Sequence, residues 1–314
     1  MKDKRLDSLD ALRGFDMLWI IGGGLLMHKL AESNESPLFD FLSTQLRHPK
    51  WHGFSFFDLI FPLFIFIAGI SIPFSVNSKI NKGITKKGIT FSILKRMFIL
   101  IFLGVVFNGF FQMNWENLRY CSVLSRIAIA SGFASLIYLW CKESHLLAII
   151  AFILITYWAA LSFIPVPGHA MGDLSMQRNL ASYIDRHLVP GRLYQGIHDP
   201  EGLVSNFPAI TNALLGVFSG LWLRSVDLKD NRKILFHILT GVACISLGLL
   251  WSYHFPINKN LWTSSFVLLT SGISFLLMAL FYWVIDVKGF KKWCFPLKLI
   301  GVNSILIYMT ASGG

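Results

Sequence analysis

The sequence predicts an all-α fold, a polytopic bundle of transmembrane helices with eight complete spans and a truncated ninth. Hydrophobic residue types make up 54% of the 314 residues and charged types only 14%, whereas soluble domains carry about 25% charged residues. The apolar residues fall into blocks of about 20, the length of a helix that crosses roughly 30 Å of hydrocarbon. These blocks show neither strict alternation nor a single apolar helix face.

The predicted spans follow the apolar blocks along the chain. They lie near 10–30, 54–78, 93–113, 121–141, 145–165, 206–224, 234–253 and 263–285, and a ninth begins near Leu299 and is cut short at Gly314. The first block contains Arg13 and Asp16 and lacks a small-residue cleavage site, which indicates a retained helix rather than a signal peptide. Two long loops, 31–53 and 166–205, face the same side of the membrane. We predict that residues 1–314 form a single domain.

The basic residues predict the orientation of this bundle. Of the 28 Lys and Arg residues, 19 lie at one set of helix ends, within 2–13, 79–96, 224–233 and 288–298 and at Lys142, and eight lie at the other set. Cytoplasmic loops carry the excess of Lys and Arg in multi-pass proteins. We therefore expect a cytoplasmic N-terminus, and the net charge of +11 is a topology signal rather than a sign of nucleic-acid binding.

Several polar side chains fall inside the predicted spans, where they are costly unless they face the bundle interior or a wet cavity. For the neutral ones we expect hydrogen bonds between helices. A full charge needs a partner or water, so Asp58 and Arg126 are candidates for function. The neutral residues are Asn108, Asn212, His237 and Asn303.

Two glycine patterns have different interpretations. Gly216 and Gly220 have the GxxxG spacing of close helix packing. Gly22, Gly23 and Gly24 interrupt the first predicted helix, either to let a neighbouring helix approach or to loosen the backbone so that it meets a ligand.

Two histidines precede the second span. His48 and His52 have the spacing of paired metal ligands on a helix, but Pro49 and Gly53 disfavour a continuous helix and a third ligand is not evident. We therefore predict no metal site. An imidazole with a pKa near ~6.5 at a membrane surface is either a solvated loop residue or a base or nucleophile, and the residue pattern alone leaves both interpretations open.

Four blocks of sequence resemble one enzyme family, and they occur in the family's order across nearly the whole chain. The resemblance is to the heparan-α-glucosaminide N-acetyltransferases and their bacterial relatives. The blocks are Ser8–Met17 (SLDALRGFDM), the stretch from His48 through Trp51, Gly53 and Asp58 to Pro62 and Gly69, Asp199–Gly202 (DPEG) and Gly301–Ile305 (GVNSI). The sequence departs from the family where the lysosomal enzyme has an Asn before its glycine run, because Ile20 and Ile21 stand there.

The resemblance implies an acetyl-CoA-dependent N-acetyltransferase. It takes acetyl from cytoplasmic acetyl-CoA and transfers it to the amino group of a glucosamine on the far side of the membrane, with no metal cofactor. The family's catalytic histidine lies ten residues before the Asp of the D-L-x-F-P motif, a spacing matched by His48 and Asp58. His52 then returns to the loop interpretation.

The catalytic roles follow from the chemistry that the resemblance implies. An amine attacks a thioester only as the free base, so His48 either deprotonates the sugar's ammonium or accepts the acetyl group and passes it on. Direct transfer is favoured, since acetyl-imidazole hydrolyses in a wet site. Asp58 is expected to orient the imidazole, Asn303 to stabilise the oxyanion, and Asp199 and Glu201 to recognise the sugar or, alternatively, to form a turn.

The donor needs a route from the cytoplasmic face to His48. Lys86 and Lys87 are expected to attract the CoA phosphates, although they also fit as topology determinants. The glycines at 22–24 are expected to let the pantetheine chain pass close to the backbone. Arg126 is predicted either to pair with Asp58 or to hold a CoA phosphate.

Two other functions also fit the sequence. Polar groups at membrane depth and a broken first helix suit a transporter of amino sugars or acylated saccharides, although no inverted repeat is visible. The same chemistry with a hydroxyl acceptor would give an O-acetyltransferase of a cell-surface polysaccharide. We expect the protein in a bacterial inner membrane, with lipid, acetyl-CoA and an amino sugar as partners and a homodimer as its assembly.

Overall fold

The structure is a computed structural model that describes residues 6–33 and 37–311. Lys2, Lys4 and Arg5 and the C-terminal end of the predicted ninth span lie outside the described residues. Within them the chain is helical apart from turns and one isolated β-bridge between Arg119 and Gly191. The α-helices are α1 (Asp7–Leu18), α2 (Gly24–Ser33), α3 (Pro37–Gln45), α4 (Phe56–Asn81), α5 (Lys86–Phe107), α6 (Val123–Trp140), α7 (Leu146–Phe163), α8 (Leu180–Leu188), α9 (Asn206–Arg224), α10 (Asp230–Trp251), α11 (Ser264–Phe281), α12 (Phe295–Val302) and α13 (Ser304–Ala311).

Six helical stretches in the described residues are long and apolar enough to cross a membrane. They are Phe56–Asn81, Lys86–Phe107, Val123–Trp140, Glu143–Phe163, Asp230–Trp251 and Ser264–Val287. The predicted class, a helical integral membrane protein, is confirmed. The predicted count of eight complete spans and a truncated ninth is not, because the other three predicted spans are interrupted or more polar.

The first and last predicted spans are both broken. Between α1 and α2 a π-type turn covers Trp19–Gly23, with Gly22 in a non-helical conformation (φ 171°, ψ −1°). The predicted interruption at the glycine run is therefore confirmed, and it follows from the low helix propensity of consecutive glycines. Near the C-terminus, α12 ends at Val302 and α13 begins at Ser304, with Asn303 between them as the C-cap of α12.

The two broken segments pack on each other through glycine. A Cβ on Gly14 would overlap the Leu297 carbonyl, and a Cβ on Gly301 would overlap the Asp10 carbonyl. Both glycines belong to the sequence blocks that carry the family resemblance. Their absent side chains let the backbones of α1 and α12 touch.

Helix α9 lies in the interior, against α4. The Gly69 backbone meets the Ala213 carbonyl, while Gly216 and Gly220 meet the carbonyls of Phe66 and Ile70. The packing interpretation of the GxxxG pattern is confirmed. Most of α9 is buried, which lets a helix that contains Asn206, Thr211 and Asn212 sit among other helices rather than in lipid.

Three of the four neutral residues predicted inside the spans, Asn212, His237 and Asn108, form hydrogen bonds between elements as expected, whereas Asn303 is exposed. Asn212 accepts from Trp262 Nε1 at 2.8 Å and donates to Ser271 Oγ at 2.8 Å. His237 Nε2 lies 2.7 Å from Ser219 Oγ, and Asn108 donates to two backbone carbonyls beyond α5. These contacts fix the interior helices around the cavities described next.

Candidate active site

The site begins with a local signal at the N-terminus of α4. Ser55 is the N-cap, and the Asp58 carboxylate accepts through Oδ2 from the Ser55 backbone N–H at 3.0 Å and from its hydroxyl at 3.2 Å. This is a capping box, in which a side chain three residues into the helix satisfies the N-cap amide. The capping box leaves the second carboxylate oxygen of Asp58 available to another group.

His48 binds that second oxygen. Its Nδ1 lies 2.6 Å from Asp58 Oδ1, and its ring packs against Phe57 with a centroid separation of 5.0 Å. Asp58 is buried and the His48 side chain is 45% exposed. A carboxylate at Nδ1 holds the proton there, so the lone pair of neutral His48 is at Nε2.

The third group of the site is Lys259, which in the sequence is only one of the eight basic residues at the other set of helix ends. It comes from the segment between α10 and α11, 211 residues from His48, and its Nζ lies 2.9 Å from His48 Nε2 and 3.8 Å from Asp58 Oδ1. Burial lowers the Lys259 pKa, and the Asp58 carboxylate opposes that shift. A separation of this size leaves no spacing signal in the sequence.

The three groups open into a cavity of about 420 Å³, here called the His48 cavity. Its walls come from α1, α4, α5, α6 and α13 and from the 46–55 and 166–205 segments. Glu201, Arg119 and Tyr194 line it together with His48 and Lys259. We call this end of the molecule the His48 end.

A guanidinium organises the acidic turn beside this cavity. Arg119 donates to both oxygens of Asp199, at 2.8 and 2.6 Å, and also to Glu201. Burial raises the Asp199 pKa, but the Arg119 hydrogen bonds and charge outweigh it and hold that pKa below its usual value. Asp199 also accepts from the backbone N–H groups of Tyr194 and Glu201.

Asp185 packs against the same turn and stabilises it. A Cβ on Gly202 would overlap the Asp185 carboxylate, which accepts from the Leu203 backbone N–H at 2.9 Å. Burial raises the Asp185 pKa to about 6. Position 202 of the DPEG block therefore requires glycine, because any larger side chain would prevent the turn from packing against Asp185.

Arg126, on α6, stabilises the start of α9. It donates to the Ser205 hydroxyl and, at 3.3 Å, to Asn206 Oδ1, and its guanidinium lies 4.5 Å from the Trp262 ring centroid. Among the described residues it makes no ion pair with Asp58 and lines neither cavity. The contacts thus support neither of its two predicted roles.

A second cavity of about 340 Å³, here called the basic cavity, lies nearer the opposite end of the bundle. It is lined by Arg13, Lys79 and Arg96 and by serines of α4, α5 and α6. Its lining shares Phe64, Leu100 and Ile127 with that of the His48 cavity, so the two cavities adjoin. The stretch of α4 from Asp58 to Lys79 is about 30 Å long at the helical rise per residue.

Comparison with known proteins decides the family. Residues 5–256 match the profile described as "Heparan-alpha-glucosaminide N-acetyltransferase, catalytic". The chain belongs to this family. It is 31% identical to heparan-alpha-glucosaminide N-acetyltransferase of Mus musculus over 97% of this chain and 53% of that protein, and 28% identical to the Homo sapiens protein over 97% and 52%. The chain spans about half the length of these relatives.

In this family member the structure brings together some predicted site residues and separates others. His48, Asp58 and Glu201 line one cavity, whereas Asp199 does not. Asn303 is exposed at the break between α12 and α13, and its neighbours Val302 and Ser304 line the basic cavity. The roles of all these residues stay predictions.

The predicted donor-binding residues lie elsewhere. In the described part of the chain, Gly22, Gly23, Gly24, Lys86 and Lys87 are absent from both cavity linings. Lys86 instead lies 5.4 Å from the Trp140 ring centroid. Over the same residues no three His, Cys, Asp or Glu side chains gather closely enough to hold a metal ion.

Proposed function

We propose that this protein transfers acetyl from acetyl-CoA to the amino group of a glucosamine-type sugar, with donor and acceptor entering from opposite ends of the bundle. The observation that carries the proposal is the His48–Asp58 pair, in a cavity that adjoins a basic cavity along α4. The names of the relatives support the same reaction and acceptor.

The basic cavity suits the phosphates of CoA. Arg13, Lys79 and Arg96 bring three cationic groups to it, and its lining contains no Asp or Glu. Guanidinium groups bind phosphate with paired, charge-assisted hydrogen bonds. This route lies between α4, α5 and α6, so we move the donor path there from the glycine run of the first helix.

The pantetheine arm would then run past the three shared residues towards His48. Phe64, Leu100 and Ile127 are apolar. Apolar walls suit a slim neutral chain and disfavour entry of the charged phosphates, which would stay in the basic cavity. An extended CoA covers most of the roughly 30 Å between the two ends. The thioester would reach the His48 cavity.

The His48 cavity supplies what amide formation needs. Nε2 of neutral His48 takes a proton from the sugar's ammonium, the free amine attacks the thioester carbonyl, and the C–S bond breaks with its electron pair on sulfur. Asp58 stabilises the imidazolium as it forms. We favour direct transfer over an acetyl-imidazole intermediate because this cavity opens to water.

The acceptor would bind at the mouth of the His48 cavity. Glu201 lines the cavity and is held by Arg119, so it is placed to receive sugar hydroxyls or the ammonium. Asp199 would act indirectly, by fixing Arg119. By the positive-inside rule we assign the basic end and the N-terminus to the cytoplasm of a bacterial inner membrane, with a homodimer as the expected assembly.

The test is acetyl transfer by purified protein in detergent. With acetyl-CoA and D-glucosamine we expect release of CoA and formation of N-acetylglucosamine, measured by mass spectrometry. Ester formation on a polysaccharide without amide formation would assign the hydroxyl acceptor instead. Neither product, together with saturable uptake of sugar into proteoliposomes, would indicate the transporter.

A further inference from the structure

The reaction proposed above removes more protons from the acceptor than one imidazole can hold at a time. The acceptor enters as R–NH₃⁺ and leaves as the amide R–NH–CO–CH₃, so two protons leave its nitrogen in each turnover. The departing CoA thiolate takes one of them. The other proton must leave the site, and the Nε2 lone pair of His48 holds only one proton at a time.

We infer that Lys259 carries the proton that leaves the site, as a relay partner of His48. The inference rests on the proposed acetyl transfer and on one contact, the 2.9 Å separation between Lys259 Nζ and His48 Nε2. Nε2 is the ring atom that faces away from Asp58. Lys259 therefore touches the atom that receives the acceptor's proton.

The contact allows a proton to move in either direction. Lys259 Nζ lies 2.9 Å from Nε2 and 3.3 Å from Nδ1. Because the Nδ1 proton is bound by Asp58, Nε2 is the ring nitrogen that can exchange a proton with Lys259: an ammonium of Lys259 donates to Nε2, or Nε2–H donates to the free amine of Lys259. In the first arrangement the Nε2 lone pair is occupied and cannot act as a base. Loss of one proton from Lys259 to water is then the step that prepares the site.

The surroundings of Lys259 make proton loss accessible. Burial lowers its pKa, and the charges that act on it are the carboxylates of Asp58 and Glu201 and the guanidinium of Arg126. Its side chain keeps 18% of its surface exposed within the His48 cavity. A buried lysine that readily changes protonation state is a common device for proton transfer.

The full sequence then balances. Nε2 takes the first proton from R–NH₃⁺ and passes it through Lys259 to water. The amine forms the C–N bond, Nε2 takes the second proton, and the C–S bond breaks. The Nε2 proton goes to the thiolate, which leaves as CoA–SH, and His48 and Lys259 return to their starting states.

The experiment compares Lys259→Met and Lys259→Arg in purified protein, with acetyl-CoA and D-glucosamine across a pH series. Below the pKa of the sugar's ammonium we expect kcat to fall about 10²-fold in both variants, with little change in KM for acetyl-CoA. Arg keeps the positive charge but does not release a proton. Above that pKa one proton leaves the acceptor and the thiolate takes it, so the deficit should shrink.

Lys229→Met makes the same change at an exposed lysine outside both cavities and should retain wild-type kinetics. Recovery of activity in Lys259→Arg, an equal deficit at every pH, or full activity in Lys259→Met would overturn the relay. In those cases His48→Ala still reports whether the proposed function stands. A wild-type protein that acetylates no amine would remove both.

Discussion

Replacing His48 with alanine should reduce acetyl transfer by about 10²–10⁴-fold, the usual contribution of a general base. The protein should still fold and bind CoA, because the side chain lies half exposed between α3 and α4, where truncation leaves no cavity in the core. The rate of N-acetylglucosamine formation measures the loss. Retention of the size-exclusion profile and of CoA binding by calorimetry separates it from unfolding.

The matched control is His52→Ala. His52 lies four residues away and is exposed, and it contacts Asn258 rather than the Asp58 carboxylate. It is also absent from the His48 cavity lining among the described residues, so this variant should stay active. A His48→Ala protein within about tenfold of wild type would show that another group removes the acceptor's proton.

Blocking the junction between the two cavities should reduce acetyl transfer from acetyl-CoA about as strongly as His48→Ala does. Ile127→Trp places a large ring at one of the three shared positions, where the pantetheine chain would pass. We expect kcat/KM for acetyl-CoA to fall by about 10²-fold, since a small displacement of a reacting group has effects of that size. A short thioester without the nucleotide, N,S-diacetylcysteamine, should be used equally well by variant and wild type.

Ile129→Trp is the control for a tryptophan on α6 outside the path. Ile129 is on the same helix, is partly buried and is absent from both cavity linings in the described residues, and retained use of the short thioester by Ile127→Trp excludes overpacking of about 1–3 kcal/mol as the cause of its loss. Selective loss with acetyl-CoA in Ile127→Trp alone supports the path between the cavities. Wild-type use of acetyl-CoA by Ile127→Trp would exclude that path.

Much of the fold could be predicted from residue patterns because the bilayer imposes a simple rule. Apolar blocks of about 20 residues identified the six long spans, and the spacing of Gly216 and Gly220 predicted close packing that the Phe66 and Ile70 carbonyls confirm. The predicted span count is not confirmed where that rule weakens. Helix α9 is buried inside the bundle, so its hydropathy reports neighbouring helices rather than lipid.

The site was predictable where its residues are close in sequence. His48 and Asp58 lie within one segment, and the Ser55–Asp58 capping box is itself a sequence signal that was missed. Lys259 and the Ile127 junction depend on tertiary packing. Contacts between residues that far apart leave no spacing pattern in the sequence.

Transfer of acetyl across the membrane within one protein can be measured in sealed proteoliposomes, where donor and acceptor are kept on opposite sides. Met171 is exposed in the 166–205 segment, so a cysteine there, labelled by an impermeant maleimide in a Cys141→Ser background, reports which compartment faces the His48 end. With acetyl-CoA confined to the opposite compartment and glucosamine on the Met171 side, we expect N-acetylglucosamine on the Met171 side and CoA on the other. Transfer that requires acetyl-CoA on the Met171 side would contradict this expectation.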